Sequence, residues 1–312
     1  MTTDVFTFGE ALVAIRSHGR LSQGDPMSAS LAGAETNVAI GLTRLGHQAT
    51  WAGVLGNDPA GDLILRTLRA EGVCTSSVRQ VSTSPTAVML VDMPASLPPT
   101  VTYYRENSAG SKLCRSDTNP TASHRLLHFT GITPAISQTA REATYAAVSS
   151  AKDNGTRISF DVNYRSKLWD QQSATAALTP LARLADIIIA SENELNLIAT
   201  DANEPAQIKI LLRNGAREVI VKRGRNGADH FDRSGKTTCP AHPINEVNSI
   251  GAGDAFTAGY LSGVLDGLPV VDRLQRGAFC GALAVSGVGD WEQAPTRSEL
   301  QLISNEKDDA IR

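Results

Sequence analysis

The chain has 312 residues, 41% of them hydrophobic and 20% charged, with a formal net charge of −3. That is the composition of a globular protein with enough chain for a large core, and its mild acidity excludes a non-specific nucleic-acid binder. Anionic ligands must be met by a few placed Arg, Lys and backbone N–H groups. No apolar run approaches the ~18 residues of a membrane span, so no membrane partner is expected. The opening MTTDVFTFGE has neither a basic stretch nor an apolar core of the kind that directs export, which leads us to expect a cytoplasmic protein. Cys74, Cys114, Cys239 and Cys280 include no CxxC pair and suit reduced thiols.

Residues 5–8 read as a first strand, and 35–45 as a helix with Val38, Leu42 and Leu45 on one face and Gly46 as its stop. A strand over 50–55 precedes a helix from about Pro59, capped by Asn57 or Asp58 and ended by Gly72. Residues 87–91 and 101–104 are β-rich runs separated by a proline-containing connection, a hairpin inserted into an otherwise alternating chain. From His124 the alternation is regular, with strands over 126–130, 157–162, 186–190 and 218–222 and helices over 138–153, 173–184 and 205–214. Such repetition predicts a mainly parallel sheet covered on both faces, an α/β fold. No internal repeat interrupts it, and only the ends, notably 305–312, are expected to fray. Asn163 and Arg165, Ser191 and Glu194, and Arg223 and Gly224 follow strand ends, where open α/β sheets hold their ligands.

Two short segments carry the chemistry. Gly251-Ala252-Gly253-Asp254 opens a helix reaching to about Leu265. Small residues let the backbone approach an anion, and the first N–H groups of the helix point at it. Asp254 can cap that helix, and it can also take a proton from an attacking hydroxyl. The second segment runs Leu31-Ala32-Gly33-Ala34-Glu35-Thr36-Asn37, small residues at a helix start with Asn37 on its first turns.

In order and separation these segments resemble the paired signatures of the PfkB (ribokinase-like) carbohydrate kinase family, over about residues 5–302. The resemblance implies one kinase domain over 1–312, a doubly wound sheet with helices on both faces and a small inserted β-sheet lid from about 12–32 and 83–106. It also implies ATP and Mg2+, Asp254 as catalytic base beside Gly251, Ala252 and Gly253, and a possible homo-oligomer through the lid. Tyr103-Tyr104-Arg105, Phe129 to Pro134 and Asp161-Val162-Asn163-Tyr164-Arg165 resemble the branch acting on 2-keto-3-deoxygluconate. By that resemblance Gly33, Ala34, Asn37, Tyr103, Arg105, Arg165, Asp254 and Asp290 contact a sugar acid. Asn163, Ser191, Lys222, Gly224, Gly227, Gly251, Gly253 and Ala278 line the nucleotide site, and Glu194 is the acidic position associated with magnesium. Two guanidiniums and a phenol suit a carboxylate better than a neutral hexose. Fructose, ribose or the galacto epimer as substrate, or a non-catalytic sugar-binding role, stay open at this point.

Other signals lead elsewhere. Ser234-Gly235-Lys236-Thr237 ends like a phosphate loop, but His230 stands where its first glycine is needed, so a β-turn is expected. His124 and His128 fall in a strand and are not expected to bind metal, and Trp51, Trp169 and Trp291 read as core or pocket-edge aromatics. Three positions depart from the family pattern: Asn248 replaces an Asp tied to a monovalent cation, Met89 a second lid tyrosine, and Ala278 an Asn of some relatives. The first puts potassium dependence in question.

Overall fold

Strand, crossover helix and parallel strand recur along most of the chain in the computed structural model, which describes residues 3–302 apart from 23, 25, 95–98, 120–122 and 202. The stretch 305–312 and most of the connection inside the hairpin therefore lie outside the described residues. In chain order the elements are β1 (Thr3–Phe8), β2 (Leu12–Ser17), β3 (Met27–Ala32), α1 (Ala34–Arg44), β4 (Ala49–Gly56), α2 (Pro59–Ala70) and β5 (Val78–Val81). There follow β6 (Ala87–Asp92), β7 (Thr100–Tyr104), β8 (His124–Thr130), α3 (Thr133–Ile136), α4 (Gln138–Asp153), β9 (Arg157–Asp161) and α5 (Gln171–Ala182). The last are β10 (Ile187–Ser191), α6 (Glu204–Arg213), β11 (Glu218–Lys222), β12 (Ala228–Asp232), β13 (Gly235–Cys239), α7 (Ala252–Leu265) and α8 (Val270–Val285).

Nine strands form the main sheet in the order β13-β12-β11-β10-β9-β8-β1-β4-β5. It is parallel from β11 to β5, and β12 and β13 extend it as an antiparallel hairpin. Both faces are covered, and period-two alternation sorts the side chains between them. Ile188 and Ala190 of β10, with Val219 and Val221 of β11, pack into the core beneath α4, α5 and α6. Ile187, Ile189 and Ile220 point the other way, to α1, α2, α7 and α8. The strand order reverses between β1 and β8, so a crevice opens at their C-terminal ends.

A second, small sheet has the order β3-β2-β6-β7 and stands over that crevice. The hairpin is β6 and β7, paired antiparallel with Met89 opposite Tyr103. β2 and β3 complete the sheet; Ser28, Ala29 and Ser30 give β3 no apolar alternation, which is why its pattern is silent in the sequence.

Elsewhere the expected elements stand within a few residues of those observed, and the differences are in caps. α5 begins at Gln171 because the Asp170 side chain accepts the Ser173 N–H at 2.7 Å. Asp58 caps α2, accepting from Gly61 N at 2.8 Å through one oxygen and from Thr86 N at 2.8 Å through the other. The Ser234–Gly235 stretch is the turn of the β12–β13 hairpin, closed on Asp232. No described helix is long and apolar enough to cross a membrane.

Because Asp58 serves a helix start and the first residues of the small sheet at once, Asp58→Ala should lower stability by about 2 kcal/mol, a lost cap plus an unpaired buried N–H. Urea unfolding of the two proteins measures it.

Candidate active site

Two cavities meet at the C-terminal edge of the sheet. The larger, about 1500 Å³, lies between that edge and the small sheet; the smaller, about 560 Å³, lies between the turn after β11, residues 241–249, α7 and α8. Lys222, Ser249 and Gly253 border both, so the seam falls where α7 begins.

All eight residues expected at the substrate, from Gly33 to Asp290, line the larger cavity. Gly224, Gly227, Ala252 and Ala278 line the smaller one. Asn163, Ser191, Glu194 and Gly251 border the larger cavity only. The expected residues thus gather at one bipartite crevice, with the small side chains of Ala278 and Gly281 leaving the second chamber open against α8.

Gly251 caps α7 with φ +80°, a left-handed conformation natural to glycine, and a Cβ there would run into the Asp290 carbonyl. This turn puts Asp254 on the first turn of α7, buried at the seam. Its carboxylate accepts from Asn37 Nδ2 at 2.8 Å and from Asn163 Nδ2 at 3.3 Å. Asn37 stands on the first turns of α1, which begins where Gly33, at φ +149°, lifts the chain off β3. Asn163 follows β9 at φ +40°, a region that Asn tolerates better than most side chains. Burial pushes the Asp254 carboxyl up to about 7, against the lowering effect of the Asn37 hydrogen bond and the Arg165 charge. A carboxylate poised near neutrality, beside the free N–H groups of a helix start, has the chemistry to take a proton next to a bound anion.

The polar groups around it are largely committed to one another. Arg105 lies 2.5 Å from Glu10, which also accepts from Ser108 Oγ at 2.5 Å. Asp290 is buried against Arg16 at 2.5 Å, and burial still holds its pKa above the usual carboxylate range. These pairings revise the sequence expectation: both residues line the cavity, but each arrives with its charge partnered. Arg165 is exposed and makes no ion pair among the described residues; it donates to the Tyr164 carbonyl at 3.2 Å. Asn37 Oδ1 is a buried acceptor with no protein partner. Tyr103 lies under the Arg105 guanidinium, 5.5 Å from its ring centre, and Lys167 flanks it at 5.9 Å.

Glu194 is engaged by backbone groups. One oxygen accepts the Ser191 N–H and the other the Tyr164 N–H, each at 2.7 Å, so it fastens the loops after β9 and β10. Among the described residues no three His, Cys, Asp or Glu side chains form a metal-binding group. The site therefore fits a magnesium ion carried mainly by phosphate and water, with Glu194 as the nearby carboxylate, and not one caged by protein. His128 is buried with its pKa pushed down to about 3 by desolvation, and His124 stacks on Phe6 at 5.0 Å; neither is at the crevice.

Sequence reasoning missed Glu10, Arg16 and Asp161 as parts of this region. Arg16 had a legible signal, a cation inside the apolar run of β2; Asp161 opens the Asp161-to-Arg165 segment without a role of its own there, and Glu10 had no signal beyond following a strand.

The profile of the pfkB family of carbohydrate kinases matches residues 2–297. A 2-dehydro-3-deoxygluconokinase of Bacillus subtilis is 38% identical over 96% of this chain and 95% of its own. A fructokinase of Klebsiella pneumoniae is 32% identical over 96% of this chain and 99% of its own. A candidate ribokinase II from Escherichia coli, solved in complex with ATP and Mg2+, superposes with a TM-score of 0.89 at 28% identity, covering 97% of this chain and 99% of that one.

Between the unfolded carboxyl value of 3.8 and the native value of about 7, the folded protein holds a proton on Asp254 that the unfolded chain does not. The residue's contribution to stability therefore falls as pH rises through that window. The difference in Tm between Asp254→Asn and the wild type should move in the variant's favour from pH 5 to pH 8, as calorimetry at each pH would record.

Proposed function

The chain belongs to the pfkB family of carbohydrate kinases, and from that premise we propose that it transfers the γ-phosphoryl group of ATP to the terminal hydroxyl of 2-keto-3-deoxygluconate, giving the 6-phosphate. The observation that carries the reading is the buried Asp254 at the seam of the two cavities, held by Asn37 and Asn163 at the start of α7. The sugar acid takes the larger cavity and the adenine the smaller, with the phosphates running along the seam. Asp254 accepts the hydroxyl proton while that oxygen attacks the phosphorus in line, and ADP leaves. The N–H groups at the start of α7 and the Lys222 ammonium meet the charge on the transferring group. Magnesium, held by the phosphates and water near Glu194, supplies further neutralisation of that charge. The small sheet is the lid of one continuous kinase domain, and its closure keeps water from the phosphoryl group.

The acid is preferred to a neutral sugar because Arg165 faces the cavity without a carboxylate of its own, while Arg105 and Tyr103 form the opposite wall. Arg165 is open to water in the unliganded site, and a neutral ketose gives it no carboxylate to pair with once sugar and small sheet cover it; the cost of about 1–3 kcal/mol is a factor of ten or more. The similarity to a fructokinase as well as to a gluconate-acid kinase makes the comparison decisive. ATP turnover on 2-keto-3-deoxygluconate, its galacto epimer, fructose and ribose should favour the keto acid at least tenfold over fructose in kcat/KM. Arg165→Leu should remove most of that margin, and Asp254→Asn should reduce turnover by several orders of magnitude on every substrate. Fructose turned over as efficiently as the acid by the wild type would leave the family intact and the substrate wrong.

Monovalent cations should matter little. Asn248 brings no charge, and its amide donates to the Val288 carbonyl at 3.0 Å while its oxygen accepts the Ile250 N–H at 3.1 Å. Equal rates in sodium, potassium and a bulky organic cation at matched ionic strength are expected; strong selective activation by potassium would contradict this.

A further inference from the structure

Beneath the base lies a carboxylate that lines neither cavity. Asp161, the last residue of β9, is 1% exposed, yet its oxygens accept three hydrogen bonds. Lys222 Nζ donates to both, at 2.9 and 2.7 Å, and Thr257 Oγ1 donates at 2.8 Å. Lys222 ends β11, two strands away, and Thr257 stands on α7 one turn beyond Asp254. The ammonium borders both cavities and lies 3.5 Å from the place a Cβ on Gly253 would occupy.

A lysine has a flexible four-carbon stem and a compact charge, so its position must be imposed from outside. Burial works against the Lys222 ammonium, but Asp161 foremost, then Glu194 and Asp254, hold its pKa above the usual lysine value. Glu194 already accepts two backbone N–H groups. Without Asp161 the carboxylates left to attract Lys222 are Glu194, whose oxygens are already engaged, and Asp254, and an ammonium settled on the base would blunt it and leave the phosphoryl seam bare.

We infer that Asp161 is a positioning residue: it holds the Lys222 ammonium at the seam of the two cavities and off Asp254, with Thr257 locking the carboxylate to the helix that carries the base. This rests on the kinase reading for its consequence in turnover, but the geometry can be tested without it. The charged and polar groups facing Asp254 are Asn37 from α1, Asn163 and Arg165 from the loop after β9, Asp161 from β9 and Lys222 from β11.

The test is a ¹³C-carboxyl NMR titration of Asp254 in the unliganded protein, paired with kinetics. In Asp161→Asn, one negative charge is removed and Lys222 turns to the base, so the Asp254 midpoint should fall by at least one pH unit. The acid limb of kcat/KM should move with it, and plateau kcat should drop more than tenfold with the sugar KM little changed. Lys222→Met combined with Asp161→Asn should be no slower than Lys222→Met alone, since Asp161 acts through the lysine. An unmoved midpoint, or losses that multiply in the double variant, overturns the inference. Should Asp161→Asn not fold, Thr257→Val decides, because it removes one of the three bonds and leaves every charge. A several-fold fall in kcat at constant sugar KM supports the inference, and unchanged kcat sinks it. An inactive wild type with the expected NMR shift would fault the kinase reading and leave the positioning role standing.

Discussion

Burying the carboxylate of Asp254 at a helix start carries a desolvation penalty that its two amide partners only partly offset, and the architecture around the crevice answers to that imbalance. Asn37 and Asn163 come from α1 and from the loop after β9, so holding the group requires a helix packed on one face of the sheet and the end of a strand within it to meet at one point. Neutral donors matter here. A cation in direct contact would make the carboxylate a poor proton acceptor, whereas amides orient it and leave its basicity high. The reversal of strand order between β1 and β8 provides the place, because it parts neighbouring strand ends and opens a crevice beside the start of α7.

Six charges at the crevice are disposed as three pairs: Arg16 with Asp290, Arg105 with Glu10, and Lys222 with Asp161. Each joins elements distant in the chain, and each leaves an edge of the crevice shaped but nearly neutral. Buried pairs of this kind contribute little net stability against an apolar alternative, so their value lies in fixing geometry. What stays available to a ligand is a short set of groups, chiefly the Asn37 acceptor, the Arg165 guanidinium and the N–H groups after Gly251. Selectivity then depends on few contacts.

The main sheet was legible because its signals are local. The apolar runs of β10 and β11, the cap at Asp58 and the glycine at 251 each act over a few residues, and the elements they imply are the ones observed. Asn37 and Asp254 were legible because small residues surround them at helix starts. Partnership was not. Nothing in Tyr103-Tyr104-Arg105 discloses that Glu10 will neutralise the arginine; the spacing of Ser191 and Glu194 is that of a capping box and signals one bond of Glu194, but nothing near it discloses that the Tyr164 N–H will claim the other oxygen. Such pairings are decided by topology, which brings together strand ends that no window of sequence spans. β3 was silent for a different reason: its small polar residues satisfy any secondary structure equally well.

The segment after α8 is tied to the front of the chain. Asp290 holds Arg16, the Trp291 indole donates to the Leu31 carbonyl at 3.0 Å, and Arg44 donates to the carbonyls of Glu292 and Ala294 at 3.0 and 2.7 Å. The Arg16–Asp290 contact spans 274 positions of sequence. Synthesis proceeds from the N-terminus, so β2 and β3 wait for these partners until residues 290–294 have been made. A nascent or truncated chain can assemble most of the parallel sheet and still lack the wall behind Gly251. A chain that stops short of residue 290 leaves Arg16 without its carboxylate and Gly251 without the carbonyl it packs against.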